Sequence, residues 1–249
     1  MLKEIHEQAV VLSKVVAGKK ARFDELVAAA QKAKKIFTLG AGTAHFAALH
    51  TAYLLRKSGF AASAIASYEA DSYRPLFDAK TLCIVFSQSG ETADTNEVVE
   101  WMKEKGVKIA SVVNMPASTL TQLSDYPFML DVGPELAVAS TKAFFGQVIW
   151  AQSLCALLCK QKFEDIQASI TAFEQSLSVW FAYTQTQEKI KKLAVSLARK
   201  KHLFVLARGD MFVSSLESAL KLKEISYIHA EGFSGGELKH GVIALIEKA

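Results

Sequence analysis

The sequence predicts an α/β fold, a doubly wound parallel sheet followed by a second, incomplete domain of the same type. Three observations carry that expectation. Apolar runs of five or six residues alternate with longer segments of helical period, the pattern of βαβ units. Gly59 and Gly106 each stand just past the last periodic helical residue, where a left-handed C-cap is wanted. Strand-like runs then stop from residue 140 to about residue 200 and resume near the end of the chain.

Taken in order, residues 1–34 read as a linker and a helix over 22–34. Strands are expected at 35–39, 63–67, 81–86, 108–113 and 127–130, with helices over 43–57, 92–105 and 118–123 between them. These elements make a first domain over 35–160. The apolar stretch 143–159 is uncharged between Lys142 and Lys160 but falls short of the ~20 residues a membrane span needs, and is read as a buried helix. Residues 161–200 form a helical connector with polar breaks near Gln161 and Tyr183. A second domain begins at 201 with a strand at 202–206, a Gly-Asp turn, a helix over 211–228, a glycine-rich segment and a last apolar run at 242–246. Two strands cannot form a covered layer alone, so exposed apolar surface and self-association are expected of this part.

Composition narrows the class. Of 249 residues, 51% are hydrophobic and 22% charged, the balance of a folded globular chain. Lysine and arginine exceed aspartate and glutamate by four and are scattered, so nucleic acid is not the expected partner, nor is a membrane. Cys83, Cys155 and Cys159 sit in apolar surroundings and form no Cys-x-x-Cys pair, which points to neither disulfides nor zinc and fits a reducing cytoplasm. The N-terminus has no hydrophobic stretch before a small-residue cleavage site, so no signal peptide is expected.

Two constellations carry chemistry. Phe86-Ser87-Gln88-Ser89-Gly90-Glu91-Thr92 follows an expected strand and opens a helix. Beyond the carboxyl end of a parallel strand, a helix N-terminus presents unpaired N–H groups, and three hydroxyls with one glycine there suit a phosphate monoester. The plainer alternative is that Ser, Thr and Glu form a capping box. Gly40-Ala41-Gly42-Thr43 has the same strand-turn-helix placement and could wall the same pocket; its spacing is neither a dinucleotide fingerprint nor a Walker loop. The second constellation is Lys221 and Glu224, three apart on one helical face, with His229, Glu231 and His240 nearby. A carboxylate beside a lysine can relay a proton between adjacent carbons, and a histidine can open a sugar ring by acid–base action. Against this stands an ordinary Glu217–Lys221 pair on a solvated face. For His229 the expectation is a core or interface histidine.

These motifs resemble the isomerase half of the glucosamine-6-phosphate synthases, the isomerising glutamine:fructose-6-phosphate aminotransferases, built from two sugar isomerase (SIS) domains. The similarity runs through Lys3-Glu4-Ile5-His6-Glu7-Gln8, the 87–95 segment, Val138-Ala139-Ser140-Thr141-Lys142-Ala143-Phe144, Arg208-Gly209-Asp210, the 219–231 segment and Gly236-Glu237-Leu238-Lys239-His240-Gly241. The resemblance implies that Ser87, Gln88, Ser89 and Thr92 hold a sugar phosphate, with Thr43 from the first loop and Val138 and Ala139 from the loop after the fifth strand. It implies that Glu224 shuttles a proton between C1 and C2 beside Lys221, and that His240 opens the ring, reaching into a neighbouring subunit's site, hence a homodimer. Fructose 6-phosphate and ammonia would give glucosamine 6-phosphate, or glucose 6-phosphate without a nitrogen donor, with neither metal nor organic cofactor. The family's glutaminase half and its C-terminal lysine-bearing tail are not in the sequence, so a separate glutaminase or another ammonia source is expected. Ala41, Ala44 and Val242 stand where the family usually has Cys, Ser and Pro. The competing expectations are a phosphosugar-binding regulatory module and a related deglycase or deaminase; the retained Lys221, Glu224 and His240 favour the enzyme.

Overall fold

Five short apolar segments pair into one parallel sheet: β1 (Lys35–Gly40), β2 (Ala62–Ala66), β3 (Thr81–Phe86), β4 (Lys108–Val113) and β5 (Tyr126–Met129), in the order β2-β1-β3-β4-β5. The central strand β3 is buried at every position, as a strand covered on both faces must be. The computed structural model describes residues 1–246. The chain divides into two units, Met1–Trp180 and the residues from Phe181 onward, and this sheet is the centre of the first.

Among the described residues, the strands of this sheet are preceded, separated and followed by α1 (Leu2–Val11), α2 (Lys20–Lys32), α3 (Thr43–Lys57), α4 (Ala93–Glu104), α5 (Thr119–Leu123), α6 (Lys142–Leu158) and α7 (Phe163–Ala182). Strand side chains alternate between faces, and the two cores show the alternation directly. Leu82, Ile84 and Phe86 pack with Phe23 and Leu26 of α2, Ala48 and Leu55 of α3 and Trp150 of α6. Cys83 and Val85 pack on the other side with Val98, Val99 and Met102 of α4 and Leu120 of α5. The sheet is therefore wound on both faces. Trp150 anchors the first core, its ring centroid 5.7 Å from that of Phe86 and 5.2 Å from that of Phe128, both edge-on. The helix expected over 143–159 is α6, buried along most of its length, and no helix among the described residues is long and apolar enough to cross a membrane. Gly59 and Gly106 adopt the positive φ that closes α3 and α4.

One cysteine differs from expectation. Cys83 and Cys155 are buried, but Cys159 lies one residue past the end of α6 and is exposed.

The second unit contains α8 (Thr184–Leu197), β6 (His202–Ala207), α9 (Phe212–Ser226) and β7 (His229–Ser234), with β6 and β7 parallel. Here the structure corrects the sequence. The second strand of this unit was expected at the apolar run 242–246, yet Val242–Leu245 is a short 3-10 turn and the strand that pairs with β6 is His229–Ser234. That strand was hidden by its glycine, which packing requires: a Cβ on Gly232 would lie 2.7 Å from the Ser215 carbonyl oxygen of α9. Ile243, Leu245 and Ile246 of the turn region are exposed.

Candidate functional site

In an open parallel sheet, ligands bind beyond the carboxyl ends of the strands where the order reverses. The order β2-β1-β3 puts that point between β1 and β3. A pocket of about 240 Å³ opens there, walled by Ala41, Thr43 and Ala44 after β1, by Phe86, Ser87, Gln88, Ser89 and Thr92 after β3, and by Ser140 and Gln147. Thr43, Ser87, Gln88, Ser89 and Thr92 are thus brought together, as residues 44 to 49 positions apart can be only by neighbouring strands. Val138 and Ala139 do not line the pocket. Val138 is 96% exposed and Ala139 is buried, and their loop reaches the pocket one residue later, at Ser140.

The turn after β3 is built around Gly90, whose φ of +70° suits glycine. Its N–H donates to Ser87 Oγ at 2.9 Å, and Ser87 Oγ lies 3.4 Å from Thr92 Oγ1. Thr92 is the N-cap residue of α4, yet its side chain makes no capping hydrogen bond. Glu91 turns instead to α5, accepting from the N–H and the hydroxyl of Thr119 at 2.8 Å each. Those bonds hold the Glu91 carboxyl below its ordinary range. The capping-box alternative is therefore not realised. The hydroxyls stay at the pocket, and the first turn of α4 keeps donors free of side-chain caps at its positive end.

The third wall is tied in by side chains whose roles no motif announces. Buried Asn114 donates its N–H to Gln88 O at 3.0 Å, while its carboxamide accepts from Val132 N at 3.2 Å and donates to Gly133 O at 2.8 Å. Glu135 accepts from Ser140 Oγ at 2.9 Å and from Thr141 N at 2.6 Å, so one carboxylate positions Ser140 and starts α6. Glu4 of α1 accepts from Leu136 N at 2.7 Å and Ala137 N at 3.3 Å. The Leu136 N–H is the main reason its carboxyl lies below the ordinary range, against the opposing effect of burial. Glu7 of α1 meets buried Lys142 at 2.5 Å, and this bond likewise lowers the Glu7 carboxyl.

In the second unit, Lys221 Nζ lies 2.7 Å from Glu224 Oε2 and 3.4 Å from Glu217 Oε1. Both the ordinary pair with Glu217 and the proximity to Glu224 are thus present. His240 follows the short turn Glu237–Lys239, its N–H bonded to Glu237 O at 2.9 Å and its residue exposed. His229 is not a core residue. It opens β7 opposite His202 and is exposed, its Nδ1 2.9 Å from His202 Nδ1 and its Nε2 3.0 Å from Glu231.

Ser140 and Gln147 were not singled out from the sequence. A signal for Gln147 existed: it shares the buried face of α6 with Ala143 and Trp150, four back and three on, where an amide is out of place.

The SIS domain family model matches residues 30–157 and 196–249. The chain is 37% identical over 265 aligned residues to the glutamine–fructose-6-phosphate aminotransferase (isomerizing) of Clostridium tetani, covering 100% of this chain and 43% of that protein. It is 34% identical to the enzyme of the same name from Pyrococcus horikoshii, covering 99% and 42%. The chain spans about two-fifths of the length of these curated relatives. Among solved structures, the C-terminal domain of glucosamine-fructose-6-phosphate aminotransferase from Francisella tularensis superposes with a TM-score of 0.85 at 32% identity, covering 99% of this chain and 72% of that one.

Proposed function

The chain belongs to the SIS domain family, on the branch of the isomerising aminotransferases, and on that premise we propose that it forms the isomerase portion of an enzyme converting fructose 6-phosphate to glucosamine 6-phosphate. The observation that carries this reading is the pocket at the β1/β3 reversal, with uncapped Thr92 and the hydroxyls of Ser87 and Ser89 around the start of α4. These groups, with Gln88, take the phosphate, and Thr43 faces it from the β1 loop. Val138 and Ala139 stay outside this pocket, and their loop contributes Ser140 to it.

The chemistry falls to the residues of the second unit. His240 opens the ring, acting in this reading on the site of a second copy in a homodimer. Ammonia, from a separate glutaminase or another source, condenses with the C2 carbonyl and water leaves. Glu224 takes a proton from C1 of the C2 imine and delivers one to C2; the nitrogen gains a proton as the C1 hydroxyl loses one, leaving a 2-amino aldehyde. Lys221 Nζ, 2.7 Å from Glu224 Oε2, orients the carboxylate for this transfer. Without ammonia the same transfer turns the ketose into glucose 6-phosphate. The three unpaired cysteines fit a reducing cytoplasm.

The test is formation of glucose 6-phosphate and glucosamine 6-phosphate from fructose 6-phosphate, with and without ammonium, by the parent chain and Glu224→Gln. Turnover abolished by Glu224→Gln with binding retained supports the reading. Full turnover by Glu224→Gln refutes the proton-transfer role, and fructose 6-phosphate binding without any turnover favours a phosphosugar-binding module.

A further inference from the structure

Gln147 lies on the second turn of α6 at the floor of the pocket and is 1% exposed. Its Oε1 is buried with no hydrogen-bond partner among the described residues. The flanking residues on its helix face, Ala143 and Trp150, are fully buried, and neither the methyl group of the one nor the indole N–H of the other bonds it. A buried amide oxygen left unbonded is costly, and leucine or methionine would serve the packing of α6 better. A carboxamide in such a place makes physical sense where a ligand completes it.

The chemistry of that ligand follows from what the other walls offer. The hydroxyls of Ser87, Ser89 and Thr92 and the start of α4 already supply donors for a phosphate, and all belong to the segment after β3. Gln147 enters from another element, beside Ser140, and meets a different part of the same molecule. Its amide combines an acceptor and two donors, the complement of an alcohol, which also donates and accepts. We infer that Gln147 binds a hydroxyl of the sugar carbon chain and so selects a polyhydroxylated phosphate over a bare one. This deepens the phosphosugar reading of the pocket and rests on it.

The test is calorimetric titration of the full chain with fructose 6-phosphate and, separately, with inorganic phosphate, for the parent, Gln147→Leu and Gln147→Met. Both variants are expected to lose about tenfold or more in fructose 6-phosphate affinity, to keep the parent's affinity for phosphate, and to melt no lower than the parent. Met keeps the length of the side chain, so it stands in if the branched Leu fails to fold. Equal losses for both probes, or a lowered melting temperature with unchanged fructose 6-phosphate affinity, would make Gln147 a packing residue and overturn the inference. Parent chain that binds phosphate but shows no preference for fructose 6-phosphate would overturn the phosphosugar reading itself, independently of the variants.

Discussion

Replacing Gly90 by alanine tests the construction of the turn after β3. Gly90 sits at φ +70°, and a Cβ there would lie 2.6 Å from Ser118 Cβ and closer still to its hydroxyl. Its peptide cannot rotate away, because its carbonyl accepts from Leu120 N at 3.1 Å and from Asn96 Nδ2 at 3.2 Å. The left-handed conformation costs a residue with a Cβ about 1 kcal/mol, and overpacking of this kind adds about 1–3 kcal/mol. The sum, about 2–4 kcal/mol, corresponds to a fall in Tm of roughly 4–16 °C for a chain of this size. Adding Ser118→Gly removes the steric part and leaves the backbone part, so the double variant should recover about half the loss or more. The affinity for fructose 6-phosphate should fall alongside, because the Gly90 N–H that orients Ser87 Oγ moves. Differential scanning calorimetry and titration read both effects. A Gly90→Ala chain that melts with the parent and binds equally well would refute the argument, as would two substitutions whose costs simply add.

Three further outcomes are expected. Ser89→Ala and Thr92→Ala should each weaken fructose 6-phosphate binding by about tenfold, the worth of one bond to a charged oxygen, with little change in Tm; unchanged titration curves would remove these hydroxyls from the site. The Glu4 carboxyl is held below its ordinary value of 4.5, so its contribution is complete above that pH and is lost as pH falls through the lowered value. Glu4→Gln should therefore melt earlier at neutral pH and show a flatter dependence of Tm on pH in acid, and identical acid slopes would exclude an engaged carboxylate. A thiol reagent should modify one cysteine quickly in the native chain, exposed Cys159, because Cys83 is buried with its thiol pushed up and burial pushes Cys155 up to about 12; a fast phase that survives Cys159→Ser would contradict this.

The elements of the first sheet were readable because local signals agreed with the tertiary outcome. The run Thr81–Phe86 is apolar without interruption, and a strand that is all apolar can be satisfied only between two layers. The turn after β3 was readable for the same reason: strand, glycine turn and helix start lie within a few residues of one another. His229–Ser234 was not, since its polar residues do not read as a strand and Gly232 is required only by the close approach of α9, a fact of packing. The apolar run at 242–246 misled because hydrophobicity alone does not distinguish a strand from a short turn. In the pocket, Ser140 and Gln147 come from more than fifty residues beyond Ser87, and Glu135, Asn114 and Glu4 act through backbone contacts that leave no motif.

The reversal between β1 and β3 has an evolutionary side. The strands are neighbours, but the chain leaves β1 for α3 and β2 before returning as β3. The two loops that face each other across the pocket are thus covalently independent, and either can mutate without dragging the other's backbone. The turn after β3 can stay fixed while the opposite loop changes. Ala41 and Ala44, two of the three positions where this chain departs from the residues usual in the family it resembles, both fall on the β1 side. A chain built this way can reshape one wall of its pocket by substitutions on a single loop and leave the wall opposite unaltered.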